Sequence, residues 1–299
     1  MNRILISARC LGAIVIAWTT VVAPAPGEAG PWTLPREAWF AKLTAAHQDT
    51  GERFAATDGF DPDTGAMFQA GDRVPYFFDG QSTTFALVME GVYGLFDDVE
   101  FGAKLPWVRS EFTDQVDPER PPTSGIGDLR FYGKYRVVTA PVVLSLEVGA
   151  KAPTGKSQSF GDAEVVPTGE GQWDFEGKLW AGRSLWPRPA YVQASVGYRI
   201  RTQNVENGFD PGDELLLHLQ AGYGGRPVSV QLRWDWLLGE SLRAAGQPID
   251  QRRELMSLTP QVNWMFSGGW HLEAGVNFFL QGQDYPAGRA GFLALAYSR

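Results

Sequence analysis

The chain has 299 residues, 44% of them hydrophobic and 20% charged, with a mean hydropathy of -0.19 and a formal net charge of -8. That average excludes a bundle of transmembrane helices, which needs repeated apolar runs of about 20 residues. The acidic balance gives no support for a nucleic-acid partner, which normally shows as a basic excess.

The first element is a secretory signal. Asn2, Arg3 and Arg9 supply a polar, positive start, and Leu11 to Val22 is almost continuously apolar. The small-residue stretch Ala23-Pro24-Ala25-Pro26-Gly27-Glu28-Ala29 follows, so residues 1–29 read as a signal peptide cleaved after Ala29. Cys10 precedes the apolar run, whereas a lipoprotein signal carries its cysteine after it. The remaining 30–299 then hold no cysteine, which excludes a disulfide framework and thiolate metal sites.

From there the dominant signal is period two, which puts successive side chains on opposite faces of a strand. Less regular candidates lie at about 38–50, 82–94 and 98–112. Leu129, Phe131, Tyr135 and Val137 then oppose Asp128, Arg130, Lys134 and Arg136. Val142, Leu144, Leu146 and Val148 oppose Ser145, Glu147 and Lys151. Trp173, Phe175 and Leu179 oppose Asp174, Glu176 and Lys178, and Val192, Val196, Tyr198 and Ile200 oppose Gln193, Ser195, Arg199 and Arg201. Leu215, Leu217, Leu219 and Tyr223 oppose His218 and Gln220. Alternation is cleanest at Val228–Trp236, where Val228, Val230, Leu232, Trp234 and Trp236 oppose Ser229, Gln231, Arg233 and Asp235. Met256 to Phe266 and Leu272 to Leu280 repeat it, and 288–298 is a last candidate. A helix would scatter these residues around its circumference, so the segments are strands, twelve in all.

The connections alternate in length. Short turns fall at Phe96-Asp97-Asp98, Thr139-Ala140-Pro141, Trp186 to Pro189, Gly224 to Pro227 and Ser267 to Gly269. Longer polar segments fall near 51–80, 113–124, 154–171, 204–212, 240–253 and 282–287. Outer-membrane barrels sort their connections this way, short on the periplasmic side and long outside. The expected fold is therefore all-β, a closed antiparallel transmembrane β-barrel of about twelve strands, with both termini periplasmic. Segment 30–37 either plugs the lumen or trails into the periplasm.

The apolar face carries aromatics near strand ends, at Trp107, Trp173, Tyr198, Tyr223, Trp236, Trp264 and Phe266, as a membrane interface favours. The other face holds charges of both signs, costly in a dry core unless paired. This places Glu100, Lys104, Arg130, Lys134, Arg136, Glu147, Lys151, Asp174, Glu176, Lys178, Arg199, Arg201, His218, Arg233, Asp235 and Glu273 in the lumen. Such charges either set the solute preference of a conduit or pair up to fill a narrow barrel.

Several stretches resemble the outer-membrane barrel family associated with the meta-pathway of phenol degradation. They are Ser124-Gly125-Ile126-Gly127-Asp128-Leu129 with Gly133-Lys134-Tyr135-Arg136, Val148-Gly149-Ala150-Lys151-Ala152-Pro153-Thr154-Gly155, Glu90-Gly91-Val92-Tyr93-Gly94-Leu95 and Lys104-Leu105-Pro106. The resemblance spans nearly the whole mature chain and implies passage of small, aromatic or hydrophobic compounds. One departure stands out. Strands of such barrels commonly finish on a terminal aromatic read by the assembly machinery, whereas this chain ends Ala296-Tyr297-Ser298-Arg299.

Other chemistry finds less support. The inward His218 and His271 read as members of polar networks, and His47 points outward with no serine nucleophile evident beside it. No Gly-x-Ser-x-Gly elbow occurs, so no enzyme is expected. Asp58, Asp61 and Asp63 could offer oxygens to calcium, but their spacing lacks the twelve-residue loop and its closing glutamate. Gly125-Ile126-Gly127 lacks the third glycine of a dinucleotide fingerprint. Phe160, Phe209 and the Phe54 to Phe78 segment are candidate outer-mouth contacts, each equally able to anchor its own loop. The expectation is an outer-membrane channel for passive uptake of small molecules, with a non-conducting structural barrel as the alternative and an outer-membrane lipase behind it. No cofactor is called for; the partners are outer-membrane lipid, a small-molecule solute and the barrel assembly machinery.

Overall fold

The computed structural model describes residues 30–62, 64–157, 166–204, 208–244 and 246–299. Residues 1–29, with the expected signal peptide, lie outside them, as do Asp63 and Phe160.

Twelve long strands form the wall: β1 (Trp39–Thr50), β2 (Gln81–Phe96), β3 (Val99–Thr113), β4 (Leu129–Val138), β5 (Val143–Ala152) and β6 (Asp174–Ser184) in the first half. The second half is β7 (Ala190–Arg201), β8 (Glu214–Gly224), β9 (Val228–Ala244), β10 (Gln247–Met265), β11 (Trp270–Gln283) and β12 (Gly288–Ser298). Each pairs antiparallel with its chain neighbours, and β1 pairs with β12 from Phe40↔Ser298 to Gln48↔Ala290, closing the barrel. Closure leaves no edge whose N–H and C=O groups would face hydrocarbon unpaired.

Phase follows the sequence. Leu43, Leu146, Val148, Phe175, Leu179, Ile200, Leu232, Leu293 and Leu295 are exposed on the outer face, while Lys42, Glu90, Glu147, Lys151, Arg201 and Arg233 are buried inside. At the periplasmic rim Tyr297 packs between Trp39, tilted against it, and Trp270, edge-on to it, with ring centroids 5.0 and 4.9 Å away. The terminal aromatic, two residues early, is thus built into the girdle. Beside it, Trp39 N–H donates to Arg299 O (2.9 Å) and Arg299 N–H to Trp39 O (3.0 Å).

Turns of two to five residues join the strands at the periplasmic end. The outer end departs from expectation at two places. The polar stretch 240–253 is not a loop: β9 runs on to Ala244 and β10 starts at Gln247, the two paired there. Its charges and glycine disguised a hairpin standing beyond the membrane, where neither face needs to be apolar. The 282–287 segment shrinks to 284–287, with Tyr285–Pro286 paired to Glu52–Phe54 of the first loop. That pairing seats Phe54 in a buried cluster with Leu255, Phe279, Tyr285, Ala287 and Ala290.

The glycine-rich opening of β4 has a local cause. Thr123–Ile126 pairs with the outer half of β3 (Trp107↔Ile126), and Leu129–Val138 continues along its inner half. Between them Pro106 has no N–H to give the ladder. The chain bulges there, with Gly127 N–H donating to Pro106 O (2.8 Å). A β-carbon at Gly127 would lie 2.9 Å from Pro106 Cγ, so only glycine fits without a shift. The bulge turns Asp128 inward, where it becomes part of the site below.

Candidate functional site

Twelve strands enclose more space than the eight-stranded barrels that side chains just fill, and less than porins. Here that space is occupied by an ion-pair network and closed by two segments of the chain.

The network runs from the periplasmic half outward. Lys134, opposite Glu100 and Glu147 on its neighbours, pairs with both at 3.1 and 3.5 Å. Lys178 joins Glu147 to Glu176, each at 3.2 Å, and Trp180 donates its indole N–H to Glu147 at 3.1 Å. Arg199 carries the network from Glu176 (2.8 Å) to Glu214 (2.6 Å). Arg201 (3.1 Å) and Arg253 also bind Glu214. Lys104 pairs with Glu90 (3.4 Å), and Lys42 joins Glu90 to Glu273, both at 3.5 Å. Arg130 lies at the margin, 4.0 Å from Glu176. Arg233 and His218 converge on Asp235 at 2.9 and 2.8 Å. Arg136 stands apart, bound to Asp98 at the β2–β3 turn (2.7 Å).

Lys134 and Lys151 are 2% exposed and Glu100 and Glu214 0%, so these groups have exchanged water for one another. Such burial is tolerable only with excellent pairing.

At the outer end, residues 166–173, the end of the segment joining β5 to β6, fold into the mouth. Thr168, Glu170 and Gln172 are buried. Asp128 Oδ2 accepts the Glu170 N–H (2.9 Å), and Asp128 Oδ1 accepts the Gly155 N–H (3.0 Å). Glu170 Oε1 accepts from Arg201 (3.0 Å) and Arg253 (2.5 Å); Oε2 accepts from Lys151 and from Gln172 (3.3 Å). Burial alone would raise the Glu170 carboxyl, but Arg201, Lys151 and Arg253 together hold it well below its ordinary value.

At the periplasmic end, residues 30–34 enter the lumen and Pro35 and Arg36 lie exposed at its rim, resolving the two placements open from sequence. Lys134 Nζ donates to Gly30 O (2.8 Å), Ser145 Oγ to Pro31 O, and Leu34 N–H to Glu100 (2.9 Å). Trp32 packs edge-on against Tyr191 at 5.7 Å. Inward-facing glycines make the seat. A β-carbon at Gly182 would stand 2.5 Å from Pro31 Cγ, and one at Gly94 2.0 Å from Pro35 O.

The remaining candidates do structural work. His271 bonds Ser298 Oγ (3.0 Å), and His47 is exposed on the outer face. Ser195 lies opposite His218, whose ring Nδ1 is bonded to Asp235. Asp58 accepts the Ala70 N–H (2.8 Å) and Asp61 the Thr64 hydroxyl (2.8 Å), both pinning their own loop. Phe209 is paired with Ala244, while Phe60 is exposed.

Alternation alone does not point to Glu170, in a loop, to Arg253, in the hairpin through 240–253, or to Lys42 and Glu90, in the irregular early strands. Glu214 was legible by phase, two residues before Leu216 and four before His218. Trp180, fully buried in the lumen, broke the rule that aromatics belong outside.

Residues 51–295 match the family described as "Putative MetA-pathway of phenol degradation". The chain belongs to this family. No curated protein sequence matches it. Among solved structures it is similar to the COG4313 outer membrane channel from Pseudomonas putida F1, with a TM-score of 0.73 and 20% identity over 92% of this chain and 99% of that one. This likeness shows the fold, that of an outer-membrane barrel. The P. putida toluene transporter TodX (TM-score 0.41, 9% identity, 89% and 90% covered) and the Ralstonia pickettii toluene transporter TbuX (0.43, 10%, 89% and 90%) are far more distant.

Proposed function

We propose that this family member is an outer-membrane channel for passive uptake of small molecules, held closed in the conformation described. The observation that supports this most directly is the nature of the closures. Both are chain segments, 30–34 and 166–173, laid against the ion-paired side chains of the wall. A segment can leave while the twelve-stranded ladder stays intact. A transport role rather than catalysis is proposed, with no cofactor. Aromatic solutes remain what the family description suggests, and the charged wall favours solutes with a polar end.

The second reading, a non-conducting scaffold, draws on the near-complete burial of the lumenal charges. Planar-bilayer conductance and liposome swelling separate the two when wild type is compared with a deletion of residues 31–36. Stepwise conductance that increases on deletion supports the channel. Silence from both proteins, each heat-modifiable and β-rich, would leave the scaffold. Charge reversal at Lys134 is a poor probe, because it would bury a third carboxylate beside Glu100 and Glu147.

A further inference from the structure

The Glu170 carboxylate sits in what is, chemically, a complete carboxylate receptor. Both oxygens are saturated by donors on four side chains: Arg201 and Arg253 on one, Lys151 and Gln172 on the other. Charge-assisted bonds of this kind are the strong ones, and arginine supplies directional donors to them.

The receptor does not depend on its occupant. Arg201 and Arg253 are also gripped by Glu214 on the β8 wall. Lys151 is also held by Asp174 (3.0 Å) and Asp128 (3.3 Å). Withdrawal of Glu170 would therefore leave the three cations fixed and one negative charge missing. The site is not wholly polar either. The Tyr285 ring lies 5.8 Å from the Arg253 guanidinium, and Tyr285 belongs to the apolar cluster with Phe54, Leu255 and Phe279.

The occupant, by contrast, is carried on a loop segment and not on the strands of the wall. Glu170 lies between Gly169 and Gly171, the latter at φ +75°. Among the described residues the segment is also tied by Thr168 Oγ1 to Ile126 O (3.1 Å), Asn204 Nδ2 to Glu170 O (2.7 Å) and the Glu170 N–H to Asp128 (2.9 Å), each a single hydrogen bond.

We propose that Lys151, Arg201 and Arg253 form a binding site for a small monocarboxylate solute with an apolar body, and that Glu170 is its built-in competitor, so that solute binding displaces the 166–173 segment and opens the outer mouth. This deepens the channel reading and rests on it for its consequence, though binding itself can be tested separately. A single carboxylate fits better than a dianion, because it restores the one charge that leaves with Glu170. A tethered competitor acts at an effective concentration on the order of mM, so the free solute binds the wild type weakly.

The test uses benzoate as the probe and benzyl alcohol as its neutral counterpart, titrated calorimetrically into the refolded full chain and into Glu170→Gln. Glu170→Gln is expected to bind benzoate at least about tenfold more tightly than wild type, a difference of about 1.4 kcal/mol. Arg201→Gln is expected to abolish that gain, and benzyl alcohol to bind neither protein. Because a core variant could misfold, the unaltered latch is also followed. In Cys10→Ser/Val166→Cys, maleimide labelling of the buried position 166 should accelerate when benzoate is added. Equal benzoate affinity in wild type and Glu170→Gln, equal binding of benzyl alcohol, or labelling indifferent to benzoate would each overturn the proposal. If ions or neutral solutes pass while benzoate fails these tests, the channel reading survives and the carboxylate site falls. If benzoate binds and nothing passes, the reverse holds.

Discussion

The two closures of the lumen are built on opposite principles. The outer one is electrostatic, a single loop carboxylate caught by three cations that the wall already holds. The periplasmic one is steric and backbone-directed: carbonyls of Gly30 and Pro31 accept from Lys134 and Ser145, and Pro31 and Pro35 rest on glycines. An ionic latch can be exchanged for another anion and titrated. A shape-fitted strap answers to volume and to deletion. The difference shows why charge alone is a poor guide to which end of such a barrel responds to which stimulus.

The largest effect should come from the keystone of the ionic end. Glu214→Ala leaves Arg199, Arg201 and Arg253 facing one another without their shared partner, a loss of about 3–5 kcal/mol for a broken buried pair. Urea unfolding in lipid, read by loss of heat-modifiable mobility, measures it. A loss below that of a surface substitution would mean that water already solvates these arginines.

Next comes Gly94→Val at the steric end. Its side chain would occupy the place of Pro35 O, and overpacking of this sort costs about 1–3 kcal/mol. Because the strap can leave, most of that strain should be relieved by ejecting it, so conductance should rise while barrel stability stays near wild type. A stable, silent variant would break the contrast drawn between the two ends.

Glu170→Gln retains the shape of the latch and loses its charge, weakening charged hydrogen bonds of about 1.5–3 kcal/mol each in part rather than whole. Faster labelling of Val166→Cys in that background is expected, with no change at the strap.

The smallest effect is acid release of the outer end. The Glu170 pKa is depressed below 4.5, so its contribution is present above that ordinary value and is lost only as pH falls through the lower folded pKa. Labelling at position 166, taken relative to an exposed cysteine peptide at the same pH because the thiolate is the reacting form, should therefore be flat from pH 7 to about 5 and rise only in stronger acid. Asp284, in the β11–β12 turn, has the opposite sign. Burial raises its pKa, so its contribution is lost as pH rises through that raised value. A rise in that relative labelling as pH climbs above the ordinary aspartate range would point to Asp284 rather than Glu170.

Much of the architecture was legible in sequence because it rests on a one-dimensional rule. Each strand must show lipid one face and the lumen the other, so residues such as Val230 and Arg233 declare their sides by parity alone. Barrel closure, strand number and the inward phase of the Lys134–Glu147 region all follow from that alternation and the turn positions. The rule stops where the membrane stops. Beyond it neither face need be apolar, and the β9–β10 hairpin through 240–253 read as a loop for that reason. Nor does parity say what fills the lumen. Arg253 in that hairpin, Glu170 in a loop and Gly30 near the start of the described chain are far apart in sequence. They meet the strand charges only because a closed ladder brings twelve strands around one small space. Their pairing is set by distances across the barrel, which no local pattern encodes, and by burial, which makes an unpaired charge there too costly to keep.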